Sequence, residues 1–196
     1  MKQENLPELL TICNVEVWNP DMVLHNQHVV VRNGKIISMR PAENQEILGE
    51  VVDGAGKVLL PSGVDAHVHL RVPGQPEKET PETGLRAAIK GGYGALLNMP
   101  NTKPPTDSAE ICDRAMAELQ PAMNQTGVEV YLSGCISKGM KGEELAAIDE
   151  LAEWGVKTFT DDGLGVEKDE LMAGVFEKAA RWGVPVSQHA EYCGHG

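Results

Sequence analysis

The segment PSGVDAHVHLR at 61–71 places two imidazoles, His67 and His69, two residues apart at the end of an apolar strand pattern. Alternate residues of a strand face the same side, so both rings can reach one cation while Val64, Ala66 and Val68 pack the other way. Arg71 follows two residues later. Its planar fork matches a carboxylate in bidentate fashion, which points to an anionic substrate group. An arbitrary His-x-His strand is more often a pair of satisfied imidazoles. Here the pair follows Val58, Leu59, Leu60 and a Pro-Ser-Gly turn, an element of buried character in which idle imidazoles are disfavoured.

The elements that must position these groups fall into two stretches. Residues 1–60 read as a small β domain, with strand patterns over Leu10 to Trp18, Val23 to Val31 and Lys35 to Met39, then short ones at Val51-Val52 and Val58 to Leu60. Asn33-Gly34 between apolar runs is a hairpin signal. From Pro61 to Gly196 strand and helix patterns alternate, the signature of parallel βα units. The strands are Val64 to Leu70, Tyr93 to Met99, Val128 to Leu132, Val156 to Phe159 and Val184 to Gln188. The helices are Glu82 to Lys90, Ser108 to Leu119, Glu143 to Trp154 and Asp169 to Trp182, with glycine available as a C-cap. The fold expected is α/β: a partial (β/α)₈ barrel of about five βα units behind an N-terminal β domain.

Each polar candidate falls where a barrel strand ends: His67 and His69 on the first, Asn98 and Asn101 on the second, Asp161 and Asp162 on the fourth, His189 and Glu191 on the fifth. In a (β/α)₈ barrel the active site is built on that rim. Singly each has a plain alternative, such as a turn at Asn-Met-Pro-Asn or a helix-entry loop at Asp161-Asp162-Gly163. Together they favour a site.

Composition narrows the class of partner. The 196 residues, 41% of them hydrophobic, can bury a sizeable core, and the net charge of -12 with only 17 Lys and Arg argues against nucleic acid. No basic-then-apolar leader and no membrane-length apolar run is evident, so a cytoplasmic protein is expected. Cys13, Cys112, Cys135 and Cys193 are widely spaced without a CxxC pair, as reduced structural thiols would be.

HVHLRVPG at 67–74, GGYGALLNMPNT at 91–102, FTDDG at 159–163 and QHAE at 188–191 resemble class I dihydroorotases of the amidohydrolase superfamily, and the likeness covers essentially the whole chain. The resemblance implies a site with two zinc ions that closes and opens the dihydroorotate ring, with N-carbamoyl-L-aspartate as the open form, in pyrimidine biosynthesis. Carried over by position, His67 and His69 would bind the first zinc, Asp162 would bridge, and His189 would bind the second. Arg71 and Asn101, beside His69, would hold the substrate. Two cations can activate a water and polarise the amide carbonyl. Lys157 in GVKTF occupies the position of the carboxylated lysine of other cyclic amidohydrolases and is the alternative bridge.

The family's general acid-base aspartate and a further histidine ligand have no counterpart among these residues, and His195 is a weak substitute. The chain is therefore expected to be a truncated form, inactive alone. Two rival readings stand: a hydantoinase or allantoinase using the same zinc chemistry, and a non-catalytic dihydroorotase-like subunit. A homodimer or an aspartate transcarbamoylase partner is compatible with the resemblance.

Overall fold

A computed structural model describes residues 7–190; Glu191, Cys193 and His195 lie outside the described residues. The chain divides into two compact units, Met1–Pro61 and Ser62–Gly196.

The first unit is a five-stranded sheet built from β1 (Leu9–Asn19), β2 (Met22–Arg32), β3 (Lys35–Pro41), β4 (Glu50–Asp53) and β5 (Val58–Leu59). Its order is β3-β2-β1-β4, with β5 also on β1. The first three strands are antiparallel, whereas β4 and β5 run parallel to β1. Asn33 and Gly34, at φ 50° and 74°, join the paired Arg32 and Lys35. Two successive positive φ values make the type I′ turn that matches strand twist, and Asn-Gly adopts it readily. Val15, Val17 and Val29 form a small core, flanked by Ile12, Leu24, Val31 and Leu59.

The second unit begins with a parallel sheet, β6 (Gly63–Val68), β7 (Tyr93–Asn98) and β8 (Glu129–Leu132), in that order. Helices α1 (Pro81–Gly91) and α2 (Ala109–Thr126) connect them; α3 (Ile148–Trp154) and α4 (Asp169–Trp182) follow. The fourth and fifth expected strands are reduced to bridges, with Phe159 pairing in parallel to Gly134 on one side and Val186 on the other. Ladder bonds persist around them: the Lys157 N–H donates to Leu132 O at 2.9 Å, and the Ser187 N–H to Phe159 O at 2.8 Å. The architecture is a partial (β/α)₈ barrel preceded by a β unit.

Local chemistry explains the helix ends. Thr80 and Thr83 form a reciprocal capping box before α1, Pro81 occupies its first turn, and Gly92 closes it at φ 81°. Gly155 and Gly183 end α3 and α4 in the left-handed conformation expected of them.

Two helices differ from the sequence reading. Helix α2 runs through Pro121 to Thr126, because Cys112, Ala115, Leu119 and Ala122 continue one buried stripe across the proline. Helix α3 starts at Ile148 rather than Glu143. Residues 136–146 instead fold back on themselves: the Ala146 N–H donates to Ile136 O at 2.9 Å and the Lys138 N–H to Glu144 O at 2.8 Å.

The main core lies between this sheet and its helices and includes Leu85, Leu96, Leu119, Val130, Leu132, Leu151, Phe159 and Val175. Cys112 and Cys135 belong to it, and burial pushes the Cys112 thiol up to about 12, consistent with structural thiols. On the opposite face of the sheet Val64 is 69% and Tyr131 39% exposed among the described residues. Among the described residues no helix is long and apolar enough to cross a membrane.

Candidate metal centre

Strand β6 does not keep one alternation along its length. Val64 pairs with Ala95 and Asp65 with Leu96, yet Val68 pairs with Asn98, so β6 holds one extra residue between Asp65 and Val68. A bulge of this kind reverses which face later residues occupy. Val64 therefore lies on the face opposite the helices instead of packing with Val68 as the simple alternation predicts. His67 and His69 flank Val68, whose partner Asn98 is buried, and so project away from the helices.

The segment beyond β6 is fastened by Asn98, 1% exposed. Asn98 Oδ1 accepts from the Leu70 N–H at 2.8 Å, and its amide nitrogen donates to Val72 O at 3.3 Å. Asn98 is thus a clamp for the loop carrying the histidines. The next turn places Arg71 at φ 59°, an uncommon backbone for a side-chain-bearing residue. Among the described residues no carboxylate forms an ion pair with Arg71.

Gly74 closes this loop against the one after β7: at φ 88°, a Cβ there would stand 1.7 Å from Lys103 O. Gly74→Ala is expected to cost at least about 1–3 kcal/mol, the scale of backbone strain alone. Urea unfolding of the two proteins measures it; equal midpoints would mean the loops separate freely.

Asp161 and Asp162 sit where the fourth strand ends and face opposite ways. Asp161, 1% exposed, accepts from the Ile136 N–H at 2.8 Å, the Ser137 N–H at 3.2 Å and the Ser137 hydroxyl. Burial raises its carboxyl above the ordinary value, against the downward pull of the Ser137 and Ile136 donors. Asp162 turns to the histidines: Oδ1 lies 3.2 Å from His67 Nε2 and Oδ2 3.5 Å from His69 Nε2. Its side chain is 11% exposed and that of His67 58%, so the cluster is rooted in protein and open on one side. Asn101 joins it, donating to Asp162 Oδ2 at 2.8 Å and standing 2.9 Å from His69 Nδ1.

One ligand atom from each of His67, His69 and Asp162 falls within 4.8 Å of the others. Two imidazole nitrogens and a carboxylate oxygen suit zinc, so the residues present fit a metal. The Nζ of Lys157 lies 5.4 Å from the centroid of the Tyr131 ring, a cation–π arrangement outside that trio. His189, half-buried at the described C-terminal end, is likewise not part of the three-residue group. Sequence reasoning took Asn98 and Asp161 as rim candidates, or as parts of a turn and a helix-entry loop, and not as clamps for distant loops. Their buried hydrogen bonds to loops 26 and 24 or more residues away leave no periodic signal.

The dihydro-orotase-like family matches residues 56–194. The chain belongs to this family. It is 36% identical over 179 residues to a dihydroorotase of Listeria welshimeri, covering 91% of this chain and 41% of that protein. It is 41% identical over 164 residues to one from Anaeromyxobacter dehalogenans, covering 83% of this chain and 37% of that protein. The chain thus spans about two fifths of the length of these relatives.

Among solved structures, an L-hydantoinase (dihydropyrimidinase) from Arthrobacter aurescens superposes with a TM-score of 0.71 at 18% identity, over 90% of this chain and 39% of that one. A D-hydantoinase from Thermus sp. gives 0.67 at 22%, with the same coverage. These likenesses speak for the fold of this dihydroorotase-like chain.

Proposed function

We propose that this dihydroorotase-like chain carries the metal-binding and carboxylate-recognition part of an enzyme that reversibly hydrolyses dihydroorotate to N-carbamoyl-L-aspartate. The observation that carries the reading is the convergence of His67, His69 and Asp162 from two strand ends onto one point. The family match and identities of 36% and 41% to dihydroorotases support the choice of substrate over a hydantoin.

In this reading His67, His69 and Asp162 hold zinc, His189 supplies a ligand to a second ion, and Lys157 remains the alternative to Asp162 as bridge. Bound zinc would activate water and polarise the ring amide. The residues themselves do the positioning. Asp162 places negative charge between the two imidazoles, and Arg71, without a carboxylate partner among the described residues, is available to the substrate carboxylate as a bidentate donor. A cytoplasmic setting, as expected from the sequence, belongs to the same reading.

Calorimetric binding of dihydroorotate and of unsubstituted hydantoin to the zinc-loaded chain tests the assignment. Dihydroorotate is expected to bind more tightly, and Arg71→Ala to weaken it about 10- to 100-fold, the equivalent of one charge-assisted contact. Equal or tighter binding of hydantoin, with no effect of Arg71→Ala, would transfer the chain to the hydantoinase reading.

A further inference from the structure

An ionised carboxylate only accepts hydrogen bonds. The Asn101 atom 2.8 Å from Asp162 Oδ2 is therefore its nitrogen, which also lies 3.3 Å from the Asp162 carbonyl oxygen. That orientation turns Asn101 Oδ1, an acceptor, toward His69 Nδ1 at 2.9 Å. His69 must then carry its proton on Nδ1. In the neutral ring Nε2, on the side of Asp162, then keeps a lone pair for a cation.

We propose that Asn101 is a positioning residue for the metal centre, its single amide fixing the His69 tautomer and holding the Asp162 carboxylate in a ligating orientation. The inference rests on His67, His69 and Asp162 being the metal ligands. It differs from the substrate contact that the family resemblance implies for Asn101. The amide nitrogen faces two Asp162 oxygens and the amide oxygen faces His69, so every hydrogen-bonding group of the side chain is engaged within the cluster. Asn101 also links loops from two different strand ends, 61 residues apart, and so sets the spacing between ligands that the backbone alone leaves adjustable.

Nitrogen-15 NMR of the imidazoles in the metal-free chain reads the tautomer, and competition with a chelator reads zinc affinity. Wild-type His69 is expected in the Nδ1–H form. Asn101→Ala should shift it toward Nε2–H and weaken zinc binding about 10- to 100-fold, the range for outer-shell partners. The wild-type tautomer by itself decides the tautomer claim even if the alanine variant fails to fold.

A wild-type His69 in the Nε2–H form overturns the proposal. Zinc binding by the wild type that Asn101→Ala leaves unchanged overturns the positioning role alone. A wild-type chain that holds no zinc removes the ligand reading and the positioning role with it.

Discussion

Asp162→Asn is expected to lower zinc affinity by at least about 100-fold, at or beyond the upper end seen for outer-shell partners, while leaving the fold intact. Asp162 is the anionic member of the trio, with one oxygen 3.2 Å from His67 Nε2 and the other 3.5 Å from His69 Nε2. An asparagine has nearly the same shape but carries no charge, and it replaces one acceptor by an N–H₂ group. That group would face either an imidazole nitrogen needed by the metal or the amide nitrogen of Asn101, 2.8 Å from the present oxygen. The two histidines would be left as a neutral pair, a weak site for a dication. Zinc retained per chain after dialysis against a graded chelator series is the measurement. Wild-type retention by the variant would move the anionic ligand elsewhere, with a carboxylated Lys157 the first place to look.

Asp161→Ala should destabilise the second unit by about 3 kcal/mol or more, since it leaves buried N–H groups without acceptors at roughly 1–3 kcal/mol each. The donors concerned are the Ile136 and Ser137 N–H groups, and the Ile136, Ser137 and Asp161 residues are at most 1% exposed. The Ser137 hydroxyl loses its carboxylate partner as well. Asp161→Asn retains one acceptor oxygen and is expected to lose less. Urea unfolding followed by tryptophan fluorescence gives both values. An alanine variant within about 1 kcal/mol of wild type, the scale of an ordinary single hydrogen bond, would mean the 136–137 turn finds other acceptors. Asp161 shares its backbone with Asp162, so the alanine variant should also bind zinc more weakly.

The sequence made the scaffold legible where local chemistry decides it. Asn33-Gly34 specifies its turn, glycines 92, 155 and 183 stop their helices, and the alternation after Pro61 announces parallel strands. His67 and Asp162 were readable as a pair because both fall at strand ends, which a barrel brings to one rim. Features set by tertiary packing were not readable in this way. The bulge in β6 reverses the face of Val64, and no residue in GVDAHV marks it. The α3 start shifted because the 136–146 segment pairs with itself, in competition with helix formation at Glu143. The helix expected to stop at Leu119 runs on through Pro121, because the stripe of Cys112, Ala115, Leu119 and Ala122 outweighs one missing N–H. The roles of Asn98, Asn101 and Asp161 depend on partners at least 24 residues distant, which spacing cannot express.

Parallel sheets elsewhere have both faces covered, whereas β6 to β8 leave Val64 and Tyr131 facing water. The 196-residue stretch taken by itself should consequently enhance the fluorescence of hydrophobic dyes such as anilinonaphthalene sulfonate while its near-ultraviolet dichroism stays that of a packed protein. For most proteins that dye signal diagnoses a molten state. For this stretch by itself it would be a property of correctly folded material, and a purification judged by dye binding alone would discard the folded fraction.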